Sequence, residues 1–382
     1  MQYVFICIKQ MGHMSFLNII ESPIVRTELA CIIQSVPSMM WTVVITTKER
    51  VTLNPIKLCF IGAGFHASTN IYPSAIESGA IIQGIATRSL ERSQAALLRF
   101  GSIGQAYDNV HLMLEHEDCD GVVVVAQPQD QVTLAMECIR AGKNVYVDKP
   151  LGWNAAEAKM VSDAAEQAGV VLMVGFMKRY APVYLKLKEL IDGGTLGKVR
   201  SFQVRFAVDS TPFCRDEEQF IKLAAIHMVD LMRFLFGDMV KVTGTTVRDG
   251  EHINQSISFV FEQGIIGSAY FAGMSAWSRE SEHVLVTFDN GFASADEITK
   301  LTIHSSQTFD NLPWKSLAEQ DIVYTPSASP MSGTHRDLYL RGFVGEMVHF
   351  TECCRDHSLP HSSGQDNIKT MALCDAILSA LV

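Results

Sequence analysis

The sequence predicts an α/β protein with an N-terminal doubly wound parallel sheet and a C-terminal α+β domain that carries a large, mostly antiparallel open sheet. Short apolar runs alternate with helical patterns over residues 56–178, which is typical of right-handed β-α-β crossovers. Longer runs of alternating apolar and polar residues follow within 179–382, with "EQG" and "DNG" as hairpin turns. These two observations predict two domains, 56–178 and 179–382.

Composition excludes several classes of function. The chain has 382 residues, enough for two hydrophobic cores. The net charge of -10 and the absence of any basic run argue against a nucleic-acid partner. Nine cysteines form neither a CxxC pair nor a zinc spacing with histidine, so we expect no metal, reduced thiols and a cytoplasmic location.

Residues 1–55 precede the predicted fold and are interpreted as an N-terminal extension, whose order the sequence leaves open. Residues 29–47 carry no charge, which is long enough for a membrane span to be considered. Polar residues and a proline interrupt this segment at 34–38. We therefore expect no membrane association, with a membrane-tethered protein as the alternative.

Five strands and their helices account for residues 56–178. The strands are predicted in "IKLCFIGAG", "AIIQGIATRS", "CDGVVVVAQP", "NVYVDKP" and "VVLMVGF". After them come one helix, the antiparallel strands, and two further helical patterns at the end of the chain. The last helix is assigned to the second domain, with packing back onto the first as an option.

The glycine-rich turn "GAGFHA" lies where the first strand meets the first helix. Gly62 permits a tight turn, Gly64 lets a phosphate approach the backbone, and Ala67 allows close packing of helix on strand. Phe65 and His66 complete the turn, where free backbone amides attract phosphate. This context predicts a Rossmann domain that binds a dinucleotide.

The end of the second strand indicates which dinucleotide is preferred. An NAD site usually has an acidic residue there for the ribose hydroxyls, and this sequence has none. Thr87, Arg88 and Ser89, with Arg92 one turn later, offer hydroxyl and guanidinium groups. Because arginine binds phosphate in a bidentate manner, NADP is predicted as the cofactor, with NAD possible.

The segments "GAGFHA", "ATRSLERSQA", "AGKNVYVDKPL", "VGFMKRYAP" and "AAIHMVDLMRFLFG" together resemble the glucose-fructose oxidoreductase / inositol dehydrogenase / MocA (Gfo/Idh/MocA) family over residues 56–382. The resemblance implies an N-terminal Rossmann domain and a C-terminal domain whose open sheet supports oligomers. It also implies hydride transfer between a nicotinamide and a hydroxyl or carbonyl carbon of a sugar or cyclitol.

The same resemblance implies two catalytic residues. The family's Glu-Lys-Pro motif matches Asp148, Lys149 and Pro150, which places Lys149 beside the nicotinamide and the reacting oxygen. A second motif, Asp-x-Gly-x-His-x-x-Asp, aligns with "LAAIHMVD" and gives His227 an acid–base or substrate-orienting role. Leu223 stands in the place of the first aspartate of that motif, so the proton relay of the family is in doubt.

Further positions come from the same alignment. Ala126, Gln127 and Pro128 are predicted to line the nicotinamide side, and Gln131 stands where many members have histidine. Arg179 falls where the family has an arginine near the interdomain cleft. It is predicted either to bind substrate or to pair with an acid in the core.

The resulting hypothesis is an NADP-dependent oxidoreductase that acts on a sugar, sugar derivative or cyclitol and forms a homodimer or homotetramer through its C-terminal sheet. Lys149 and His227 would handle the proton on the substrate oxygen. Two alternatives stay open: an enzyme whose tightly bound NAD(P) performs a transient oxidation for elimination or glycoside cleavage, and a non-catalytic dinucleotide-binding regulator.

Overall fold

The computed structural model describes residues 3–10, 13–20, 45–47, 54–100, 104–306, 321–327 and 336–382. The chain forms two units, 1–54 and 55–382. The first contains an antiparallel three-stranded sheet in the order β2-β1-β3, made of β1 (Tyr3–Gln10), β2 (His13–Ile20) and β3 (Ile45–Thr47). Most of the uncharged segment 29–47 lies outside the described residues.

A six-stranded sheet begins the second unit, and every neighbouring pair in it is parallel. Its strands are β4 (Lys57–Ile61), β5 (Ile81–Ala86), β6 (Gln105–Tyr107), β7 (Gly121–Val124), β8 (Asn144–Asp148) and β9 (Leu172–Gly175). The order is β6-β5-β4-β7-β8-β9. This is the Rossmann order, and it reverses between β4 and β7, where a ligand crevice is expected at the carboxyl ends of the strands.

Helices connect these strands. They are α1 (Tyr72–Glu77), preceded by a π-helical turn at Ala67–Ile71, then α2 (Leu90–Arg99), α3 (Val110–His116), α4 (Pro128–Arg140) and α5 (Ala155–Ala168). The side chains of Ser89, Asn109 and Asn154 each accept a hydrogen bond from a backbone amide three residues later. Such caps satisfy amides that the helix itself leaves unpaired, so the sequence defines where α2, α3 and α5 begin.

An eight-stranded sheet follows. Its strands are β10 (Val199–Val208), β11 (Met239–Asp249), β12 (His252–Phe261), β13 (Ile266–Gly273), β14 (Ser281–Phe288), β15 (Gly291–Asp296), β16 (Lys300–Ser305) and β17 (Ile322–Tyr324). The order is β11-β12-β13-β10-β14-β15-β16-β17, antiparallel except for the parallel pair β10 and β13. Along β10 the apolar residues Phe202, Val204 and Phe206 are buried while Gln203 and Arg205 are exposed, so one face lies on the core and one faces outward.

The remaining helices are α6 (Pro182–Gly193), α7 (Glu217–Gln219), α8 (Ile226–Phe236), α9 (Arg336–Leu340), α10 (Phe343–Asp356) and α11 (Gly364–Ala380). A π-helical turn, Phe220–Ala225, joins α7 to α8. Helix α11 lies against α5 of the Rossmann part, and the amide of Asn367 donates to the carbonyl of Leu151 over 3.0 Å.

Helix α10 completes the core on one face of the parallel sheet. Phe343, Met347 and Phe350 are buried in one hydrophobic cluster with Phe60 and Tyr146, and the rings of Tyr146 and Phe350 meet edge to face at 5.8 Å. The core of the Rossmann part therefore includes residues that lie about two hundred positions further along the chain. The predicted boundary at residue 178 divides the chain by sequence position, whereas this hydrophobic core includes residues from both sides of that boundary.

The predicted fold class is confirmed: a parallel Rossmann sheet and a separate, mostly antiparallel sheet occur in the predicted order. Among the helices of the described residues, none combines the length and the apolar character that crossing a bilayer requires.

Candidate functional site

The glycine-rich turn lies at the point where the strand order reverses. Gly62 has a φ of +101°, and a Cβ there would stand 2.0 Å from the carbonyl oxygen of Val125, so only glycine fits between the ends of β4 and β7. A Cβ on Gly64, by contrast, would meet nothing within 4 Å. The backbone at Gly64 is therefore open to a ligand.

The helix that follows presents the next residues of the turn. Phe65 is 85% exposed and Ala67 is fully buried. The amide of Ser68 donates to the carbonyl of Gly64 over 2.9 Å, so the amides just before it have no helical partner. Free amides at a helix start suit a pyrophosphate.

The polar residues that follow β5 are of two kinds, those with local hydrogen bonds and those exposed to solvent. Thr87 and Ser89 are used locally, since the Thr87 hydroxyl donates to the Ser89 carbonyl over 2.7 Å and Ser89 caps α2. Arg88 and Arg92 are exposed, and neither forms an ion pair with a carboxylate of the described residues. Both guanidinium groups are thus available to a phosphate.

The segment after β7 forms the opposite side of the crevice. Gln127 precedes α4, which Pro128 begins, and Gln131 lies beneath at 1% exposure. The Gln131 amide nitrogen lies 3.4 Å from the carbonyl of Ala126, while its Oε1 is buried without a hydrogen-bond partner in the described residues. Because an orphaned buried acceptor is costly, this oxygen favours a donor from a bound group.

These observations test whether a nicotinamide dinucleotide fits. The open backbone at Gly64 suits the pyrophosphate of such a cofactor, the exposed guanidinium of Arg88 suits a 2′-phosphate, and Gln131 Oε1 is left to accept a hydrogen bond. The residues at this crevice therefore fit a nicotinamide dinucleotide. The residues that would hold it are Gly62, Gly64, Phe65, His66, Ala67, Thr87, Arg88, Ser89, Arg92, Ala126, Gln127, Pro128, Gln131, Asp148 and Lys149.

Lys149 lies at the tip of β8 and reaches the second domain. Its ammonium donates to the backbone carbonyl of Leu223 over 2.6 Å. This carbonyl belongs to the π-helical turn before α8. Leu223 thus contacts Lys149 through its backbone, at the position where the resemblance implied an aspartate. Burial lowers the pKa of Lys149 below its usual value of 10.5, against the opposing effect of Asp148.

A chain of polar contacts runs from Asp148 to the C-terminal part. The Asn70 amide nitrogen lies 3.0 Å from His66 Nδ1, and Arg341 Nη1 donates to Asn70 Oδ1 over 3.1 Å. Since Arg341 can only donate, the Asn70 oxygen faces it and the Asn70 NH₂ donates to His66 Nδ1. His66 Nε2 then carries the proton and faces Asp148 Oδ1 at 3.6 Å.

That chain fixes the ionisation of Asp148. Burial by itself would raise the pKa of this carboxyl, but the contact with His66 and the neighbouring Lys149 bring it below its usual value. Asp148 is therefore an anion next to Lys149, and it contacts the helix that starts at the glycine-rich turn.

His227 occupies the first turn of α8, one helical turn beyond Leu223. Its ring meets Phe176 edge to face at 6.5 Å, and its Nδ1 is buried without a hydrogen-bond partner among the described residues. Burial is the largest cause that lowers its pKa well below 6.5, and the nearby cations Lys149 and Lys178 act in the same direction. His227 is thus a neutral imidazole, and no carboxylate of the described part of the chain forms a hydrogen bond with it.

Arg179 lies outside this group of residues. It is 4% exposed, and its Nε and Nη2 donate to the two carboxylate oxygens of Asp230 over 2.7 and 2.5 Å. Its other donors reach Asp366 and the carbonyl of His361. Four hydrogen bonds thus occupy the guanidinium, so of the two predicted roles the geometry supports the core ion pair. Asp230 pairs with Arg179, and the substrate contact of Arg179 stays a prediction.

Sequence reasoning missed Asn70 and Arg341. Asn70 lies one helical turn after His66, a spacing that places both on one face, so a polar residue at that position was a usable signal. Arg341 lies 271 residues from its partner Asn70, and no local pattern connects them. No group of three or more metal-ligating side chains occurs in the part of the chain that the structure describes.

A Rossmann crevice with a lysine and a histidine at its edge defines a dinucleotide-dependent oxidoreductase. The chain matches the model of the oxidoreductase family with an NAD-binding Rossmann fold over residues 56–176 and the Gfo/Idh/MocA C-terminal domain over residues 184–294. It therefore belongs to the Gfo/Idh/MocA family, as the sequence predicted, and is an NAD(P)-dependent oxidoreductase of that family.

Relatives compared one by one share less than a third of their aligned residues with this chain. D-apiose dehydrogenase of Paraburkholderia graminis is 27% identical over 343 residues, which cover 85% of this chain and 87% of that protein. Inositol 2-dehydrogenase/D-chiro-inositol 3-dehydrogenase of Lactiplantibacillus plantarum is 27% identical over 184 residues, 48% of this chain and 53% of the relative. A solved levoglucosan dehydrogenase in complex with NADH and levoglucosan aligns with a TM-score of 0.74 at 17% identity, over 86% and 97% of the two chains. This last similarity shows the fold alone.

Proposed function

We propose that the protein is an NADP-dependent dehydrogenase of a sugar, sugar derivative or cyclitol. The observation that carries the cofactor preference is the exposed Arg88 after β5, which forms no ion pair within the described residues, at a strand end whose sequence has no acidic residue to bind a ribose diol. The substrate class rests on the relatives, whose names give D-apiose and inositol.

The bound nicotinamide would supply the hydride acceptor or donor. Lys149 would exchange its hydrogen bond to the Leu223 carbonyl for one to the substrate oxygen, so its ammonium stabilises negative charge there. Because the pKa of Lys149 is lowered, it releases and regains a proton more easily than an exposed lysine does.

His227 would have a lesser part in this proton transfer. A pKa far below 6.5 makes its imidazole a weak base at neutral pH. It therefore orients the substrate through hydrogen bonds, while Lys149 performs most of the acid–base work. The missing carboxylate at Leu223 accounts for this division.

The first test is a titration of the purified protein with NADPH and NADH, followed by nicotinamide fluorescence. We expect NADPH to bind at least about tenfold more tightly, a difference of about 1.4 kcal/mol, and Arg88→Asp to abolish that preference. Arg99→Asp, on the last turn of α2, is the control. Equal affinity for both dinucleotides would rule out the NADP preference. If neither dinucleotide binds, the proposal that the protein is a dehydrogenase fails.

The substrate is then identified with the enzyme that has its dinucleotide bound. Turnover is measured spectrophotometrically with D-apiose, myo-inositol and levoglucosan. Tight dinucleotide binding without turnover of any polyol would favour the regulator. Consumption of a glycoside without net change in the dinucleotide would favour transient oxidation.

We further propose that the protein forms a homo-oligomer through the outer face of the eight-stranded sheet. That face exposes Ile266, Tyr270 and Phe292 at 58%, 42% and 37%, and exposed apolar groups on one face favour association. Light scattering on the wild type and on Tyr270→Lys should show a dimer or tetramer that the substitution dissociates. A monomeric wild type would contradict this.

A further inference from the structure

Asp148 and Lys149 are neighbours in the chain, but their side chains reach different parts of the molecule. The Lys149 ammonium donates to the carbonyl of Leu223 over 2.6 Å. Asp148 ends β8, and its Oδ1 faces His66 Nε2 in the glycine-rich turn at 3.6 Å. Asp148 and Lys149 form no ion pair in the described part of the chain. The ammonium is thus not engaged by the carboxylate that precedes it, because that carboxylate faces His66.

The His66 ring is held from two sides. The Asn70 amide nitrogen lies 3.0 Å from His66 Nδ1, and the ring of Phe343 meets the imidazole edge to face at 5.7 Å. Asn70 is 7% exposed and belongs to the π-helical turn Ala67–Ile71. His66 Nε2 is buried and has no hydrogen-bond partner among the described residues. The carboxylate of Asp148 is therefore the acceptor available to it.

Arg341 determines which way the Asn70 amide faces. Its Nη1 donates to Asn70 Oδ1 over 3.1 Å, and its guanidinium lies over the Phe343 ring at 4.8 Å. Arginine has donors only, so it holds the Asn70 oxygen and directs the Asn70 NH₂ group toward His66 Nδ1. A ring nitrogen that accepts from an NH₂ group carries no proton of its own. The proton of the imidazole therefore stays on Nε2, on the side of Asp148.

This arrangement opposes the usual behaviour of a histidine beside a carboxylate. A nearby negative charge favours the doubly protonated imidazolium, and that cation would cancel the charge of Asp148. Because Nδ1 is occupied as an acceptor, His66 donates to Asp148 without neutralising it. Burial lowers the pKa of Lys149, and the negative charge of Asp148 acts against this effect. A His66 with one proton thus leaves that charge in place beside Lys149.

We propose that Arg341 and Asn70 are positioning residues for the reaction at Lys149. They keep a single proton on His66, at Nε2. His66 then orients Asp148 and leaves its negative charge to act on the Lys149 ammonium. The inference rests on the proposed function and extends it to a residue that lies 271 positions from Asn70 in the chain. It also gives the His66 side chain a role separate from the phosphate contacts of the turn.

The protonation of the ring can be measured without a substrate. Proton–nitrogen-15 correlation spectra of the full-length protein at about pH 7, with and without NADP, distinguish a bare imidazole nitrogen from a protonated one. The signals of His66 are those that disappear in His66→Gln. We expect a bare Nδ1 and a protonated Nε2 in the wild type. Arg341→Met lets the Asn70 amide turn over, and Asn70→Asp supplies an acceptor, so Nδ1 should gain a proton in both variants.

Two spectral results would overturn the inference. One is a protonated Nδ1 in the wild type, and the other is an unchanged His66 ring in both variants. Asn70→Asp decides the question if Arg341→Met does not fold. Arg140→Met and Asn290→Asp, at exposed positions, are the matched controls and should leave the His66 signals where they are.

Turnover connects the protonation of the ring to the reaction. With the polyol that reacts best, Arg341→Met should lower kcat about tenfold through misplacement of the reacting groups. Arg341→Lys keeps a donor to the Asn70 oxygen and should recover at least about threefold of that loss. The affinity for NADPH should change less than about threefold, because backbone amides hold the phosphates.

The outcomes separate the inference from the proposed function. An altered His66 ring with an unchanged kcat in Arg341→Met would contradict the positioning role. If polyols are turned over but the spectra disagree, the inference alone fails. If the spectra agree but no polyol is turned over, the proposed function fails, and the role at Lys149 fails with it.

Discussion

At the carboxyl ends of β4 and β7 the candidate site is made of bare backbone, whereas at the tip of β8 it is made of side chains from several separate elements. Gly62 and Gly64 shape the first region by the absence of a Cβ. Lys149, His227 and Arg341 shape the second, and Lys149 and Arg341 each donate to a partner far away in the chain. The first region can be recognised in a short motif, while the second exists only in the folded protein.

The largest expected effect is on the side-chain region. Lys149→Met removes the ammonium that contacts the Leu223 carbonyl and, in our proposal, the substrate oxygen. Loss of a general acid–base group lowers kcat by about 10²–10⁴-fold. Steady-state turnover with the best polyol measures the change, with Lys300→Met at an exposed position as the control. A loss of less than tenfold would assign the proton transfer to another group.

A second prediction separates the site from the core beneath it. Arg179→Met leaves Asp230 buried without a counterion, and breaking a buried pair costs about 3–5 kcal/mol. Urea denaturation should show this loss in the free energy of unfolding, while the exposed pair tested by Arg200→Met should lose about 1 kcal/mol or less. A stable Arg179→Met protein with a raised KM would instead restore Arg179 to the substrate site.

The backbone region can be tested with two matched glycines. Gly62→Ala forces a Cβ onto the Val125 carbonyl at a positive φ, where backbone strain alone costs about 1–3 kcal/mol. Gly64→Ala meets open space, so its stability should stay within about 0.5 kcal/mol of the wild type, yet dinucleotide binding should weaken because the methyl group occupies the approach of the phosphates. Thermal unfolding and fluorescence titration distinguish the two. Equal behaviour of both variants would mean that Gly64 does not face the ligand.

The smallest expected effect is on the pH profile. Because the pKa of His227 lies well below 6.5, His227 stays neutral as the pH falls through 6.5, and kcat/KM should show no transition there. The pKa of Lys149 lies below 10.5, so the alkaline limb should begin earlier than for an exposed lysine. Comparing the profile of the wild type with that of His227→Asn checks both points. A limb near pH 6.5 that disappears in His227→Asn would show that His227 titrates in the working range.

The difference between the backbone region and the side-chain region also explains how much of the fold and the site could be predicted from the sequence. Alternating strands and helices with the turn at Gly62 predict a doubly wound parallel sheet, although the short edge strand β6 was not among the five strands predicted. Lys149 was recognisable because it follows a strand of that sheet. The role of the Leu223 carbonyl could not be predicted, because the identity of a side chain does not indicate which groups its backbone contacts. The π-helical turn that presents this carbonyl also has no recognisable pattern in the sequence. Arg341 was missed for another reason, since its role comes from the packing of α10.

The position of α10 has a consequence for the synthesis of the protein. The ribosome completes residues 56–178 long before it reaches Phe343 and Phe350, which cover one face of the parallel sheet. Until they emerge, the nascent Rossmann part exposes the apolar side chains of β4 and β8 that these residues bury, and such surfaces attract chaperones or aggregate. A fragment that ends at residue 178 should therefore be poorly soluble, and co-expression of a second fragment with the remaining residues should rescue it.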